Sequence, residues 1–245
     1  MKSVLITGAN KSIGFETARQ LAQKGLFVYL GSRNLENGLD AVKKLKAEGF
    51  NEMEVVQIDV TNSESLKAAQ TEIGKKTEVL DILINNAGIS GGLPQTATGA
   101  SIETFKAVFE TNLFGVVRVT QAFIDLLKKS PEPRIVNVSS SQGSLTLSSD
   151  PRDRYYNHKG AVYQSSKAAL NMYTINLAYE LRDSPFKVNA VDPGFTDTDF
   201  NNHRGTGSVE SAAARVVKYA IIGNDGPTGK YFSEEYNAET GEIPW

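Results

Sequence analysis

The feature that most constrains this chain is a regular alternation of short apolar runs with longer amphipathic segments. Val4-Leu5-Ile6 precedes a helical pattern from Ile13 to Lys24, and Leu26-Phe27-Val28-Tyr29-Leu30 precedes another from Leu35 to Ala47. Val55-Val56-Gln57-Ile58 leads to Thr61-Asn62-Ser63-Glu64, which reads as a capping box opening a helix. Leu80-Asp81-Ile82-Leu83-Ile84 is followed by a long helical pattern from Ser101 to Lys129. Ile135-Val136-Asn137-Val138 comes before a Ser-rich stretch and a helix from Ala161 to Arg182, stopped by Pro185. Phe186 to Val191 then ends at Asp192-Pro193-Gly194. Strand–helix alternation of this kind implies right-handed crossovers and a mostly parallel sheet with helices on both faces. The strand cores are Val/Ile/Leu runs, as burial on both faces requires. No repeat or linker interrupts the pattern, so residues 1–245 read as a single α/β domain. In such a sheet, ligands bind beyond the carboxyl ends of the strands.

Composition narrows the chemistry. The chain has no cysteine, which excludes a disulfide framework, thiol catalysis and Cys-ligated metal sites. Its two histidines, His158 and His203, are too far apart in sequence to suggest a His-rich cluster, so no metal is expected. A net charge of −2, with both signs dispersed, gives no footprint for nucleic acid or a membrane surface. No apolar run approaches the ~18 residues of a membrane span. The opening apolar stretch is too short for a signal peptide, and the expectation is a cytoplasmic protein.

The loops after the strands carry the functional signal. Thr7-Gly8-Ala9-Asn10-Lys11-Ser12-Ile13-Gly14 joins the first strand to a helix. Glycines there let backbone approach a pyrophosphate at a helix N-terminus, although a tight structural turn uses the same residues. After the second strand, an acid would accept bonds from a ribose 2′-hydroxyl, but the chain has Arg33. Arg33 with Lys11 suits a 2′-phosphate, a charge-assisted contact of roughly 1.5–3 kcal/mol, and this favours NADP over NAD. Both are also ordinary surface cations. Asp59-Val60 offers a carboxylate for an adenine amino group or, alternatively, a helix cap; Asn85-Asn86-Ala87-Gly88 offers small residues for packing against a nucleoside.

Tyr163-Gln164-Ser165-Ser166-Lys167 is the strongest signal, because residues four apart on a helix share a face. An ammonium about 4 Å from a phenol at an effective dielectric near 20 gains roughly 4 kcal/mol. That is an upper bound of ~3 pKa units, enough to bring a tyrosine from ~10 towards ~7 and make it a usable general acid. Tyr155 and Lys159 repeat the spacing, but Pro151 and Gly160 flank that pair and predict a loop.

Taken together, these residues resemble the short-chain dehydrogenase/reductase family over essentially the whole chain. Thr7-Gly8 through Gly14 resembles its cofactor loop, Asp59-Val60 its adenine pair and Asn86-Ala87-Gly88 its NAG motif. Asn112 matches the family's helix asparagine, Ser140 its active-site serine, and Tyr163 and Lys167 its catalytic pair. Pro193, Gly194 and Thr198 match the segment around the nicotinamide amide. The resemblance implies a Rossmann-type doubly wound sheet carrying its own active site. It further implies NADPH-dependent reduction of a small-molecule aldehyde or ketone, as in the carbonyl reductase branch. Tyr163 would protonate the oxygen, Ser140 would hydrogen-bond it, Lys167 would hold the ribose, and Asn112 would position a water. An NADP-binding sensor and an alcohol dehydrogenase working oxidatively are the alternatives.

Three positions depart from the family pattern. Ser12 replaces the middle glycine of the loop, the Ser140–Tyr163 separation is wide, and the segment Phe200 to Ser208 is short for a lid. Leu145 to Gly160 reads as an insertion beside the site. Apolar residues on more than one face of the Tyr163 helix suggest either pairing with a second copy or cover by that insertion in a monomer.

Overall fold

The computed structural model describes residues 1–245. In chain order its elements are β1 (Ser3–Ile6), α1 (Ser12–Gln23), β2 (Phe27–Ser32), α2 (Leu35–Ala47), β3 (Met53–Gln57), α3 (Ser63–Lys76) and β4 (Ile82–Asn85). There follow α4 (Ile102–Phe109), α5 (Val116–Leu127), β5 (Arg134–Val138), α6 (Leu145–Ser149) and α7 (Ala161–Glu180). The chain finishes with β6 (Lys187–Val191), α8 (Val209–Ala220) and β7 (Lys230–Phe232). All seven strands lie in one parallel sheet of order β3-β2-β1-β4-β5-β6-β7. This is the doubly wound, Rossmann-type arrangement the alternating pattern implied. Strand order reverses between β1 and β4, where Leu5 pairs with Tyr29 on one side and Leu83 on the other. A crevice opens at the carboxyl ends of the strands at such a switch point.

Side chains alternate across each strand, and here both faces are covered. Val4, Ile6, Leu30 and Ile84 pack with Leu21 of α1, Leu45 of α2 and Val216 of α8. Leu5, Leu83 and Ile135 face the other way, against Ile73 of α3, Phe123 of α5 and Leu177 of α7. Each fully buried side chain of this kind is worth roughly 1.5–3 kcal/mol, and together they fix the strand register.

Local sequence explains most helix starts. Asn34, Asn62, Ser101 and Ser208 each accept the amide of the residue three positions on. The cap of α3 is therefore Asn62 and not Thr61, whose hydroxyl donates to Asp59 at 2.7 Å. The helix expected from Ser101 to Lys129 is interrupted by one π turn, Glu110–Gly115, between α4 and α5. α8 and β7 lie beyond the elements read from the sequence. Segment 145–160 forms α6 and a run of turns. It leaves Met172 and Tyr179 of α7 57% and 66% exposed, so it does not cover the second apolar face of that helix. No helix is long and apolar enough to cross a membrane.

Candidate active site

The loop after β1 is built for close approach. The Thr7 hydroxyl accepts the amides of Asn86 and Ala87 at 3.0 and 3.1 Å, tying the β1 and β4 ends together. Asn86 donates back to the carbonyls of Thr7 and Gly8 at 2.9 and 3.1 Å. A side chain at Gly14 would stand 2.5 Å from the Asn86 amide and 2.6 Å from the Gly8 carbonyl, so only glycine lets α1 start here. Gly8 and Ser12 both take left-handed backbone, φ +64° and +51°. Lys11 provides no side-chain cap, and the amides of Ser12, Ile13 and Gly14 have no protein acceptor. Half-buried Asn10 and Ile13 flank these donors. Unspent N–H groups at the positive end of a helix, in the switch-point crevice, fit the pyrophosphate of a dinucleotide.

At the end of β2, Arg33 is exposed and makes no side-chain hydrogen bond or ion pair. Lys11 does have a partner: its ammonium reaches across to Asp199, beyond β6, at 2.8 Å. Asp59 spends one oxygen on the amide and hydroxyl of Thr61, at 2.9 and 2.7 Å, and leaves the other open. Buried Val60 packs where a Gly115 side chain would lie, 2.8 Å from that position, so the π turn rests on it. Gly88 lies near the Asn112 carboxamide and the Lys167 ammonium.

α7 brings Tyr163 and Lys167 to one face beneath Ser140. The Lys167 ammonium is buried, donates to the Val138 carbonyl at 2.8 Å, and lies 5.8 Å from the centre of the Tyr163 ring. Burial lowers it to about 8, an effect that the nearby negative charge of Asp192 opposes. Tyr163 departs from the sequence expectation. Burial drives its phenol above the ordinary value, a hydrogen bond with the Ser140 side chain pulls the other way, and Asp192 adds to the rise. The ammonium is held by a backbone carbonyl and does not overcome this desolvation. Ser140 opens the single turn Ser141–Gly143, and its hydroxyl accepts the Gln142 amide at 3.4 Å. Gly143 lies on the backbone of Lys167, where a side chain would approach to 2.8 Å.

Asn112 sits in the π turn, fully buried. Its carboxamide donates to the Ile89 carbonyl and the Ser166 hydroxyl, both at 3.0 Å, and accepts the Ile89 amide at 2.9 Å. It therefore braces the loop after β4 against α7. Pro193 and Thr198 are buried beyond β6, and Gly194 takes φ +86°.

Tyr155 lies in a turn, Lys159 in the irregular stretch before α7, and the two part company. The Tyr155 phenol donates to Glu235 at 2.8 Å, and burial with that carboxylate pushes it up to about 12. The Lys159 ammonium donates to the Ser148 carbonyl instead.

Four residues at the site were not visible in the sequence. Gln95 accepts the Tyr163 amide at 2.9 Å and donates to the carbonyls of Ser90 and Gly92. Asp192 is a buried acid at the end of β6. The Tyr231 phenol of β7 donates to the Ser140 carbonyl. Asp199 holds Lys11. Only Asp192 had a local signal, an acid set between a strand and Pro-Gly.

The comparisons agree with this architecture. Residues 2–208 match the family model described as short chain dehydrogenase. The chain is 36% identical to (-)-isopiperitenone reductase of Mentha piperita, over 94% of this chain and 96% of that protein. Among solved structures it resembles salutaridine reductase from Papaver somniferum, with TM-score 0.83 and 30% identity over 95% of this chain and all of that one. It also resembles an NADPH-bound carbonyl reductase from chicken fatty liver, with TM-score 0.84 and 27% identity over 100% of this chain and 99% of that one. A parallel sheet reversing at β1 and β4, an uncapped helix behind a glycine loop, and this extent of similarity have one reading: the chain belongs to the short-chain dehydrogenase/reductase family of oxidoreductases.

Proposed function

We propose that this protein reduces the carbonyl of an aldehyde or ketone with NADPH, with Tyr163 as the general acid. The observation that carries this reading is the convergence of Tyr163, its partner Ser140 and the buried Lys167 ammonium beside the switch-point crevice. The free amides of Ser12 to Gly14 would bind the pyrophosphate, Arg33 and Lys11 the 2′-phosphate, and Asp59 the adenine amino group. Asn86, Ala87 and Gly88 would pack on the nucleoside, and Pro193, Gly194 and Thr198 would hold the carboxamide end. NADPH, when bound, supplies a hydride to the carbonyl carbon.

The remaining work falls to the side chains. As the carbonyl oxygen gains charge, Tyr163 gives it the phenolic proton and Ser140 hydrogen-bonds it. A phenol with a raised pKa keeps its proton at neutral pH, which is the form reduction needs. Lys167 would hold the ribose and lend positive charge as phenolate forms, and Asn112 would position a water that leads the proton back from solvent. Phe200 stands edge-on to Tyr163 with ring centres 5.6 Å apart, which favours an apolar substituent on the carbonyl.

NADPH oxidation across a panel of carbonyls tests the reading. Tyr163→Phe is expected to lose roughly 10²–10⁴-fold in kcat while still binding NADPH; Tyr155→Phe is expected to stay active. The opposite pattern would reassign the acid. NADPH should bind about 10- to 100-fold more tightly than NADH, and Arg33→Asp should erase the difference. Equal wild-type affinities would overturn the cofactor assignment.

A further inference from the structure

β6 ends on a carboxylate that has no cation in contact with it. Asp192 is 3% exposed, and it takes part in none of the chain's ion pairs. Its two oxygens accept the Gly194 amide at 3.1 Å and the Ser233 hydroxyl at 2.7 Å. Neutral donors of this kind do not offset the several kcal/mol that burial of an ion costs.

Sheet register shows where the offsetting charge lies. Val191 of β6 pairs with Val138 of β5, and the Ser139 amide donates to the Val191 carbonyl at 2.8 Å. The buried Lys167 ammonium donates to the carbonyl of that same Val138. One strand end thus holds the cation, and the adjacent strand end continues directly into the anion. Neither has another opposite charge in contact.

We propose that Asp192 is the buried counter-charge of Lys167, a positioning residue that keeps Lys167 as ammonium and Tyr163 as phenol by acting through space. This rests on the reading of Tyr163 and Lys167 given above. The charged and titratable groups around Asp192 are Tyr163 and Lys167 of α7, Tyr231 of β7, Glu235 beyond it, Tyr155 in the turns before α7, and Arg215 of α8, whose guanidinium donates to the Pro193 carbonyl and makes no ion pair with Asp192. A negative charge among them retains protons. At Lys167 it opposes the effect of burial, and at Tyr163 it reinforces it. The tyrosine–lysine pair is thereby held doubly protonated, the state from which carbonyl reduction starts. Whichever group releases its proton first, loss of Asp192's charge lowers the apparent pKa of the pair.

Asp192→Asn tests this, because the carboxamide can accept from Gly194 and donate to Ser233. Lys167 is titrated by ¹³C NMR in protein labelled at lysine Cε, with its resonance assigned by Lys167→Arg. The variant's midpoint is expected about one pH unit below that of the wild type. The basic limb of kcat/KM for carbonyl reduction should move the same way. An unchanged Lys167 midpoint overturns the proposal; a purely structural role for Asp192 would lower thermal stability and leave that midpoint in place. The NMR titration needs no turnover, so an inactive wild type would sink the proposed reaction without deciding the role of Asp192. Should Asp192→Asn fail to fold, Asp192→Ser removes the same charge and still offers Gly194 an acceptor.

Discussion

Gln95 shows how a side chain remote in sequence sets up a site. Its carboxamide is almost fully buried and spans two elements: the oxygen takes the Tyr163 amide, one of the orphan donors at the start of α7, while the nitrogen donates to Ser90 and Gly92. The loop after β4 is thus fastened to the helix turn that carries Tyr163. Gln95→Ala would leave a donor and two acceptors unpaired, at about 1–3 kcal/mol for each group that stays dry. It is expected to lower stability in urea denaturation and to reduce kcat more than it raises KM. Gln95→Glu keeps the acceptor for Tyr163 but turns its second oxygen on the Ser90 and Gly92 carbonyls, so it should not rescue kcat. The Tyr163–Lys167 spacing was legible because one helix turn fixes it. Gln95 was not, because 68 residues separate it from its partner and no local pattern marks a contact of that kind.

Elements meet the site through two close contacts. The turn Ser141–Gly143 lies flat on α7, and a methyl group at Gly143 would sit 2.8 Å from the Lys167 backbone carbonyl carbon. Backbone cannot yield as a flexible side chain does, so Gly143→Ala must shift the turn that bears Ser140 or the helix that bears Lys167. Misplacement on the scale of 1 Å costs up to about 10²-fold in rate. A loss of that order is expected in kcat, with far-UV circular dichroism unchanged. The second contact is the ion pair from the loop before α1 to the single turn Asp199–Asn201, where His203 also bonds Asp197 and Asp199. Asp199 competes for the cation assigned above to the 2′-phosphate. An exposed pair is worth at most about 1 kcal/mol, so Asp199→Asn should tighten NADPH up to roughly 5-fold and leave NADH unchanged in calorimetric titration. Six of the strands were legible as apolar runs. β7 was not, since three residues show no periodicity; α8 does carry a clear stripe, Ala212, Ala213, Val216, Val217 and Ala220 behind the cap Ser208, and its pattern was there to be read. The π turn leaves no mark in composition, because it changes hydrogen bonding and not the residues that face the core.

The whole molecule carries a cost in stability at its site. The alternating pattern predicted the sheet, its two covered faces and the end where chemistry would gather, because burial of Val, Ile and Leu dominates the energetics of such a fold. The electrostatics inside that end were not legible, since they depend on which polar groups the sheet buries and which neighbours they then acquire. Lys167 is the sharpest case. Its ordinary value of 10.5 falls to about 8 on folding, so the folded chain disfavours the ammonium relative to the unfolded one. Below pH 8 both states carry the charge, and the folded state bears the full penalty, about 3 kcal/mol at ~1.4 kcal/mol per pH unit. Between pH 8 and about 10.5 the unfolded chain binds more protons than the folded one, so this contribution to stability improves as pH rises. Lys167→Met removes the charge and keeps most of the volume, at about 1 kcal/mol for the unpaired Val138 carbonyl. The variant should therefore be more stable than wild type by about 2 kcal/mol at pH 7, with the gain fading toward pH 10 as folded wild-type Lys167 gives up its proton while the unfolded chain still keeps most of its own. Urea denaturation at the two pH values measures this, alongside a loss of carbonyl reduction. A stability difference that is the same at pH 7 and pH 10 would show that burial of the ammonium is not what the fold gives up at this site.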